Sequence, residues 1–510
     1  MLEVVKKYLP FIIGALVSFS IIFSCQPTEQ VLDLASAEHL AKVHCASCHQ
    51  YPEPSLLDKQ AWNEHILPRM GYMMGVLPID SIGPNFIEED AIATAFQNPM
   101  LFRTTSPLSG KEWQAIRQFY TTNAPEKLPE VANNDLQSTS PFKVKIPETR
   151  FSPPSTTMAK FVGNQLMIGD ANSKRLYQFD ENLQLQTAAN VGEGLVSFTQ
   201  TPVSFLVTVM GSFAPTDQSS GQIISLPLNP QDRVQVILDS LKRPVFSTYA
   251  DLNGDNSVDI ITCEFAKWTG SLSWWESIGQ GKFEKKVLRN MPGAIRAYVY
   301  DFNQDKKQDI IALFGQGDEG IFIYYNQGNG EFKEERVLQF PPSYGSSYFN
   351  LYDLNNDGAL DIVYTAGDAA DYIAPVKPYQ GIYTFLNDGN NQFKQNFFYP
   401  MPGAYAAIPA DFDADGDFDM AAISFFPDYE NQGPSFLYLE NQGNQNYIPS
   451  TVKDQHLGRW IVMDAADADN DGDVDLVLGS LAFEVVPANG LLEQWTNDGI
   501  PFVVLENERK

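Results

Sequence analysis

The residues with the most explicit chemistry are Cys45-Ala46-Ser47-Cys48-His49, a C-x-x-C-H. Two thiols three positions apart can add across both vinyl groups of one haem, and the adjacent imidazole is then delivered to the iron as proximal ligand. A thioredoxin-like redox pair needs no trailing histidine and expects a βαβ setting, which the surrounding sequence lacks. A zinc site needs a second ligand pair, and the next cysteine is Cys263. For the sixth iron position the candidates are Met70, Met73, Met74, Met100 and His65, of which a thioether would raise the potential of the haem.

A second chemistry is written five times. Asp251, Asn253, Asp255 and Asp259 stand at positions 1, 3, 5 and 9 of a loop, and the pattern returns as Asp301, Asn303, Asp305, Asp309 and as Asp353, Asn355, Asp357, Asp361. The last two copies are Asp411, Asp413, Asp415, Asp419 and Asp467, Asp469, Asp471, Asp475. The copies start 50, 52, 58 and 56 residues apart. Oxygens at these positions converge on one hard cation, and a backbone carbonyl near position 7 completes the shell, so Ca²⁺ is expected in up to five sites. Mg²⁺ would demand stricter octahedral geometry. No helix flanks the loops and no Glu follows at position 12, which excludes an EF-hand. Position 6 should take a positive φ; Gly occupies it in the last three copies but Asn256 and Lys306 in the first two, whose sites should be weaker. Calcium here is expected to be structural.

Distinct elements must position the two chemistries. Leu34–Val43 reads as a helix leading into the C-x-x-C-H, and Leu56–Leu67 as a second helix that Pro68 ends. A third starts at Ser109, where Ser109 and Glu112 form a capping box, and buries Trp113, Ile116, Phe119 and Tyr120. Residues 124–141 have a linker composition. From 142 onward the chain is β: each aspartate loop is followed by an apolar strand such as Ile310–Leu313, then by a hairpin such as Gly320–Phe332. Residues 142–240 keep the strand rhythm without the aspartates and read as two degenerate blades, giving seven in all, with six or eight also able to close. Met1–Ser24 has a basic start and an apolar run too short for a comfortable span, the pattern of a signal peptide.

The net charge of −29 disfavours phosphate backbones, so nucleic acid is excluded as a partner. Arg243 and Arg459 lie eight residues before their aspartate loops and Arg296 five before its own. Two roles are open to them: binding an anionic substrate or carboxylated sugar at the central channel, or pairing with the loop aspartates. Trp274 and Trp275 alternate across a strand, so one is exposed unless it packs on a neighbouring blade. Cys263 reads as a buried free thiol. No Ser/His/Asp set, P-loop or dinucleotide fingerprint is present.

Four resemblances extend this reading. Ile22-Phe23-Ser24-Cys25 resembles a bacterial lipobox, which implies cleavage before Cys25 and a diacylglycerol on its thiol. The order of helix, C-x-x-C-H, intermediate helix and aromatic last helix resembles the small cytochromes c. The stretch Leu67-Pro68-Arg69-Met70-Gly71 resembles a Leu-Pro-x-Met-x segment in cytochrome domains fused to repeat propellers, which implies Met70 as iron ligand. Residues 240–510 resemble the FG-GAP/VCBS repeat of integrin-like propellers, in which each repeat supplies a four-stranded blade. The expectation is a multidomain chain: signal peptide 1–24, an all-α cytochrome c-like domain 25–123 with one covalent haem c, linker 124–141, and an all-β, seven-bladed propeller 142–510. Its expected place is outside the cytoplasm, lipid-anchored to a bacterial membrane, with the outer membrane expected, on its periplasmic or surface face. Its expected work is electron transfer to a redox partner protein, as an electron carrier and not a stand-alone enzyme, with the propeller docking that partner or a substrate. The rival readings are a substrate-oxidising propeller that feeds the haem, and a propeller that binds glycan or protein for adhesion.

Overall fold

A computed structural model of the chain describes residues 33–78, 101–131, 136–229, 232–443, 445–482 and 489–508. The segment read as a signal peptide, Cys25 and Met100 lie outside the described residues.

The β part is a seven-bladed propeller, each blade an antiparallel four-stranded sheet. Blades 1 and 2 span residues 156–190 and 195–241; blades 3 to 6 span 244–289, 294–339, 346–400 and 404–450. Blade 7 takes three strands from residues 460–507 and its outermost strand, β1 (Phe142–Lys145), from the start of the region. β1 pairs antiparallel with the last strand, Phe142 opposite Asn507 and Lys145 opposite Val504, so the two ends of the propeller are stitched into one sheet and the ring has no open blade. The seven blades expected from five aspartate repeats plus two degenerate ones are therefore present.

Burial explains why each strand has its sequence. The second strand of blades 3 to 7, for instance Asp309–Phe314 and Asp475–Ser480, is buried along its whole length, because neighbouring blades cover both faces. It consequently reads as an unbroken apolar run with no alternation. The fourth strand of blade 3, Phe283–Arg289, exposes Glu284 and Lys285, charges that blunt the outer edge against pairing with another chain. Trp274 is fully buried and meets Phe332 of blade 4 edge-on at 5.6 Å, whereas Trp275 is partly exposed under Lys285. Cys263 is buried and unbridged.

The α part packs α1 (Leu34–Cys45) against α4 (Gly110–Asn123). Ser109 caps α4 in a full capping box with Glu112, and Trp113, Ile116, Phe119 and Tyr120 are its buried residues, as the sequence reading expects. The middle helix departs from expectation. It runs from α2 (Lys59–Ala61) through a π-turn (Trp62–Ile66) into α3 (Leu67–Met73), so Pro68 does not end it. The Leu67 N–H bonds back five residues to Trp62 O, and this widened turn places Pro68 in the first turn of α3, where a proline costs no helix hydrogen bond. Gly71 of α3 faces α4 so closely that a Cβ would lie 3.1 Å from the Trp113 ring. Among the described residues no helix is long and apolar enough to cross a membrane.

Candidate functional site

The two ends of the propeller carry different chemistry. At one end, the loop between first and second strands of blades 3 to 7 holds the aspartates. Asp251 accepts from the Gly254 and Asn256 amides, both at 2.8 Å, at positions 4 and 6, whereas Asp353 and Asp411 accept from the amides at positions 5 and 6. Position 6 has a positive φ in all five loops, including 64° at Asn256 and 70° at Lys306, as does position 4, which the sequence reading missed. Asp411, Asp413 and Asp415 bring carboxylate oxygens within 4.8 Å of one another, and so do Asp467, Asp469 and Asp471. The first three loops have Asn at position 3. In the first and third, Asn253 and Asn355 donate to the position-5 aspartates, and in the second Lys307 Nζ sits 2.8 Å from Asp305 Oδ2.

Position 9 stands apart. Asp259, Asp309, Asp361, Asp419 and Asp475 are buried, and each carboxylate is aimed into the blade. Asp361 accepts from the Leu354 amide of its own loop at 2.9 Å and from the Asn387 amide of the third strand at 2.8 Å. Asp259, Asp309 and Asp475 do the same with their counterparts. The neighbouring asparagines stitch blades together: Asn326, Asn391 and Asn507 each donate Nδ2 to a loop carbonyl of the preceding blade.

The opposite end faces the helices across a cavity of about 1470 Å³, lined from both sides. From the α part it receives Cys45, Cys48, His49, Met70, Met73 and Met74, all brought to one wall by the C-terminus of α1 and by α3. His49 Nδ1 lies 2.8 Å from the Gln50 carbonyl, so Nδ1 carries the proton and Nε2 keeps its lone pair. Burial lowers the His49 pKa, which keeps the ring neutral. Burial also pushes the Cys45 thiol up to about 11. Arg103 Nη2 reaches Ser47 Oγ at 3.0 Å beside Cys48. Trp113 Nε1 is buried on the same wall with no hydrogen-bond partner. His65 does not line the cavity; its ring stacks on Tyr372 of the propeller, centroids 4.3 Å apart.

That stacking belongs to an interface made by the long loop 367–380 of blade 5. Asp371 pairs with Arg69 at 3.0 Å, Tyr379 donates to Leu56 O at 2.7 Å, and Tyr372 joins the apolar cluster of the helices. Phe102 adds an edge-on contact with Trp268 at 5.2 Å.

The arginines settle at this end, away from the aspartate loops. Arg243 donates Nε and Nη2 to Phe213 O and lies over Phe265. Arg296 stacks between Phe246 and Tyr348, and Arg459 is buried over Phe425 with Nε donating to its carbonyl. The pairing of these arginines with loop aspartates does not occur, because the loop and the arginine leave the first strand at opposite ends.

Residues 301–364 match the FG-GAP-like repeat family. No curated protein matches the chain. Solved structures of similar shape include the N-terminal domain of Nup159, with TM-score 0.42, 10% identity, and coverage of 74% of this chain and 99% of that one. Sqt1 of Saccharomyces cerevisiae gives 0.40 at 10% identity, covering 73% and 99%. An ancestral GH74 enzyme gives 0.46 at 10% identity, covering 72% of this chain and 51% of that one. What the chain bears is thus a seven-bladed propeller containing FG-GAP-like repeat sequence.

Proposed function

We propose that the chain is an exported, lipid-anchored monohaem c-type cytochrome that carries electrons outside the cytoplasm, with the propeller docking a partner or substrate beneath the haem. The observation that carries this reading is the C-x-x-C-H lining the cavity together with Met70, Met73 and Met74, with His49 Nδ1 donating to the Gln50 carbonyl. The residues fit the group. Cys45 and Cys48 supply the thiols for covalent attachment, His49 is neutral and oriented by its Nδ1–H bond, and Met70 offers the thioether. The unpartnered Trp113 Nε1 and the Arg103 guanidinium are donors suited to the carboxylates such a group carries. When bound, the haem supplies a one-electron couple; the protein's part is to hold it in a site lined by Met70, Met73, Met74 and Trp113.

The aspartate loops are read as structural calcium sites on the far side. The grouping of Asp411, Asp413, Asp415 and of Asp467, Asp469, Asp471 supports that reading most directly. Cys25 is read as the lipid-bearing residue.

Reduced-minus-oxidised and pyridine-haemochrome spectra of protein made with haem-attachment machinery test the proposal. A c-type α-band is expected, with a change of spin state in Met70→Ala. A normal spectrum in that variant moves the ligand to Met73, Met74 or Met100. Absence of covalent haem overturns the electron-transfer reading and leaves a calcium-stabilised binding propeller.

A further inference from the structure

The cavity is cationic in an acidic protein. Nine Lys/Arg and five Asp/Glu line it, whereas the chain as a whole has 34 and 63. Three of the five acids are neutralised in place: Asp371 by Arg69, Asp318 by Arg289 and Arg336, and Asp464 by Lys160. What remains on the propeller wall is a set of charged groups that converge without touching. Arg243, Arg296 and Lys377 have no carboxylate within ion-pair distance among the described residues, and Glu319 and Asp368 have no cation within it. Such an arrangement costs desolvation on every member and recovers it only when something polar stands between them.

Each group is held so as to leave a valence open. Arg243 is anchored through Nε and Nη2, which frees Nη1. Lys377 is buried and gives one N–H to Ser343 O at 2.9 Å, which leaves two. Glu319 accepts from the Ser346 amide and hydroxyl through one oxygen only, Oε2. Gln316 Oε1 and Arg296 Nε are enclosed with no hydrogen-bond partner among the described residues. Aromatic faces of Phe265 and Tyr348 flank the set. The cavity exceeds the roughly 300–1,000 Å³ of ordinary small-molecule sites, so a group held by the helices and a ligand held by the propeller fit together.

We infer that the propeller wall of this cavity binds a small polyhydroxylated carboxylate of the sugar-acid class. Arg243 and Lys377 take the carboxylate, while Glu319, Asp368 and Gln316 accept from the hydroxyls. Burial pushes Glu319 up to about 7 and Asp368 up to about 6, so at neutral pH Glu319 is partly protonated while Asp368 stays mostly ionised. The site does not depend on what the C-x-x-C-H carries.

Calorimetric titration of the full chain with D-galacturonate, D-glucuronate and D-gluconate, against D-galactose as neutral control, tests the inference. Saturable binding of at least one acid is expected, about tenfold or more tighter than galactose and weakened about tenfold or more in Arg243→Met and in Lys377→Met, the cost of removing a desolvated charge partner. Thermal midpoints identical to wild type establish that both variants are folded. No binding by any acid, equal binding of galactose, or full binding in both variants overturns it. So does binding confined to a haem-free Cys45→Ala/Cys48→Ala chain, which would assign the two cations to the haem's own carboxylates. If the wild type carries no haem, the titration still reads the sugar-acid site.

Discussion

The same inner strands end in two unlike places. At one end the chain repeats itself: five loops with aspartate at positions 1, 5 and 9, the position-9 carboxylate clamping its own loop to the third strand. At the other end the blades diverge, apart from Arg243 and Arg459, which each donate to a carbonyl of the preceding blade. Blade 3 offers Arg243, blade 4 Glu319 and Arg296, and blade 5 a long loop with Asp368, Tyr372 and Lys377. Repetition marks what every blade needs in order to stand, and irregularity marks what the molecule uses. The contrast follows from geometry: a loop that meets its own blade and the equivalent side of the next can be copied, whereas groups that meet across a channel must differ to be complementary.

The sharpest break of the comparison removes the chemistry of one end and leaves the other. Cys45→Ser with Cys48→Ser should abolish covalent haem entirely, seen as loss of the haemochrome band, while thermal unfolding of the propeller is unchanged. A parallel fall in propeller stability would show that the helices hold the ring together.

The converse is Asp361→Ala, which strikes the repetitive end. It leaves the Leu354 and Asn387 amides without acceptors inside the blade. At about 1–3 kcal/mol for each orphaned group, the loss should be about 2–6 kcal/mol in urea unfolding, with haem attachment intact.

The irregular end has a pH signature of comparable size. Glu319 titrates about 7 when folded, because burial outweighs its bonds from Ser346. A raised carboxyl contributes stability that is fully present below its ordinary value of 4.5 and is lost as pH rises through about 7. The swing is on the order of 3 kcal/mol. Glu319→Gln should flatten stability between these pH values. If the slope persists, Asp368 or another cavity group is responsible.

Calcium distinguishes loops within the repetitive end. A chelator should lower the thermal midpoint, and Ca²⁺ at a hundredfold excess over its dissociation constant should restore about 2.7 kcal/mol per fully coupled site. Asp411→Asn and Asp469→Asn should shrink that response more than Asp305→Asn, since Lys307 already neutralises Asp305.

The sequence announced the repetitive end almost completely, because the aspartate spacing and the strand after it are local. Five loops, seven blades, and the capped last helix with its four buried aromatic and aliphatic residues all follow from short-range patterns. The C-x-x-C-H was legible for the same reason. The irregular end was not. Arg243 and Arg296 were visible as candidates, but Glu319, Asp368 and Lys377 belong to no motif, and only ring closure brings them to one cavity. Pro68 misled because a π-turn absorbed it, and no residue pattern in Trp62–Ile66 declares that turn. The position-9 aspartates carried a second meaning, since the spacing that suggests a cation ligand also serves a backbone clamp.

The smallest effect probes how far the copies have drifted. Lys306 holds φ at 70° where the last three loops place glycine, at 90° to 100°. A side chain there costs roughly 1–2 kcal/mol of backbone strain, of which the greater unfolded-state freedom of glycine would take back about 0.5–1. Lys306→Gly should therefore stabilise the calcium-free chain by about 0.5–1 kcal/mol, and the same substitution at Asn256 by less, because asparagine tolerates the left-handed region better than lysine. The Lys306 side chain is exposed and forms no ion pair among the described residues, so no lost contact competes with that gain. A destabilising Lys306→Gly would mean that the second loop is held by its own side chains and not by the backbone form it shares with the other four.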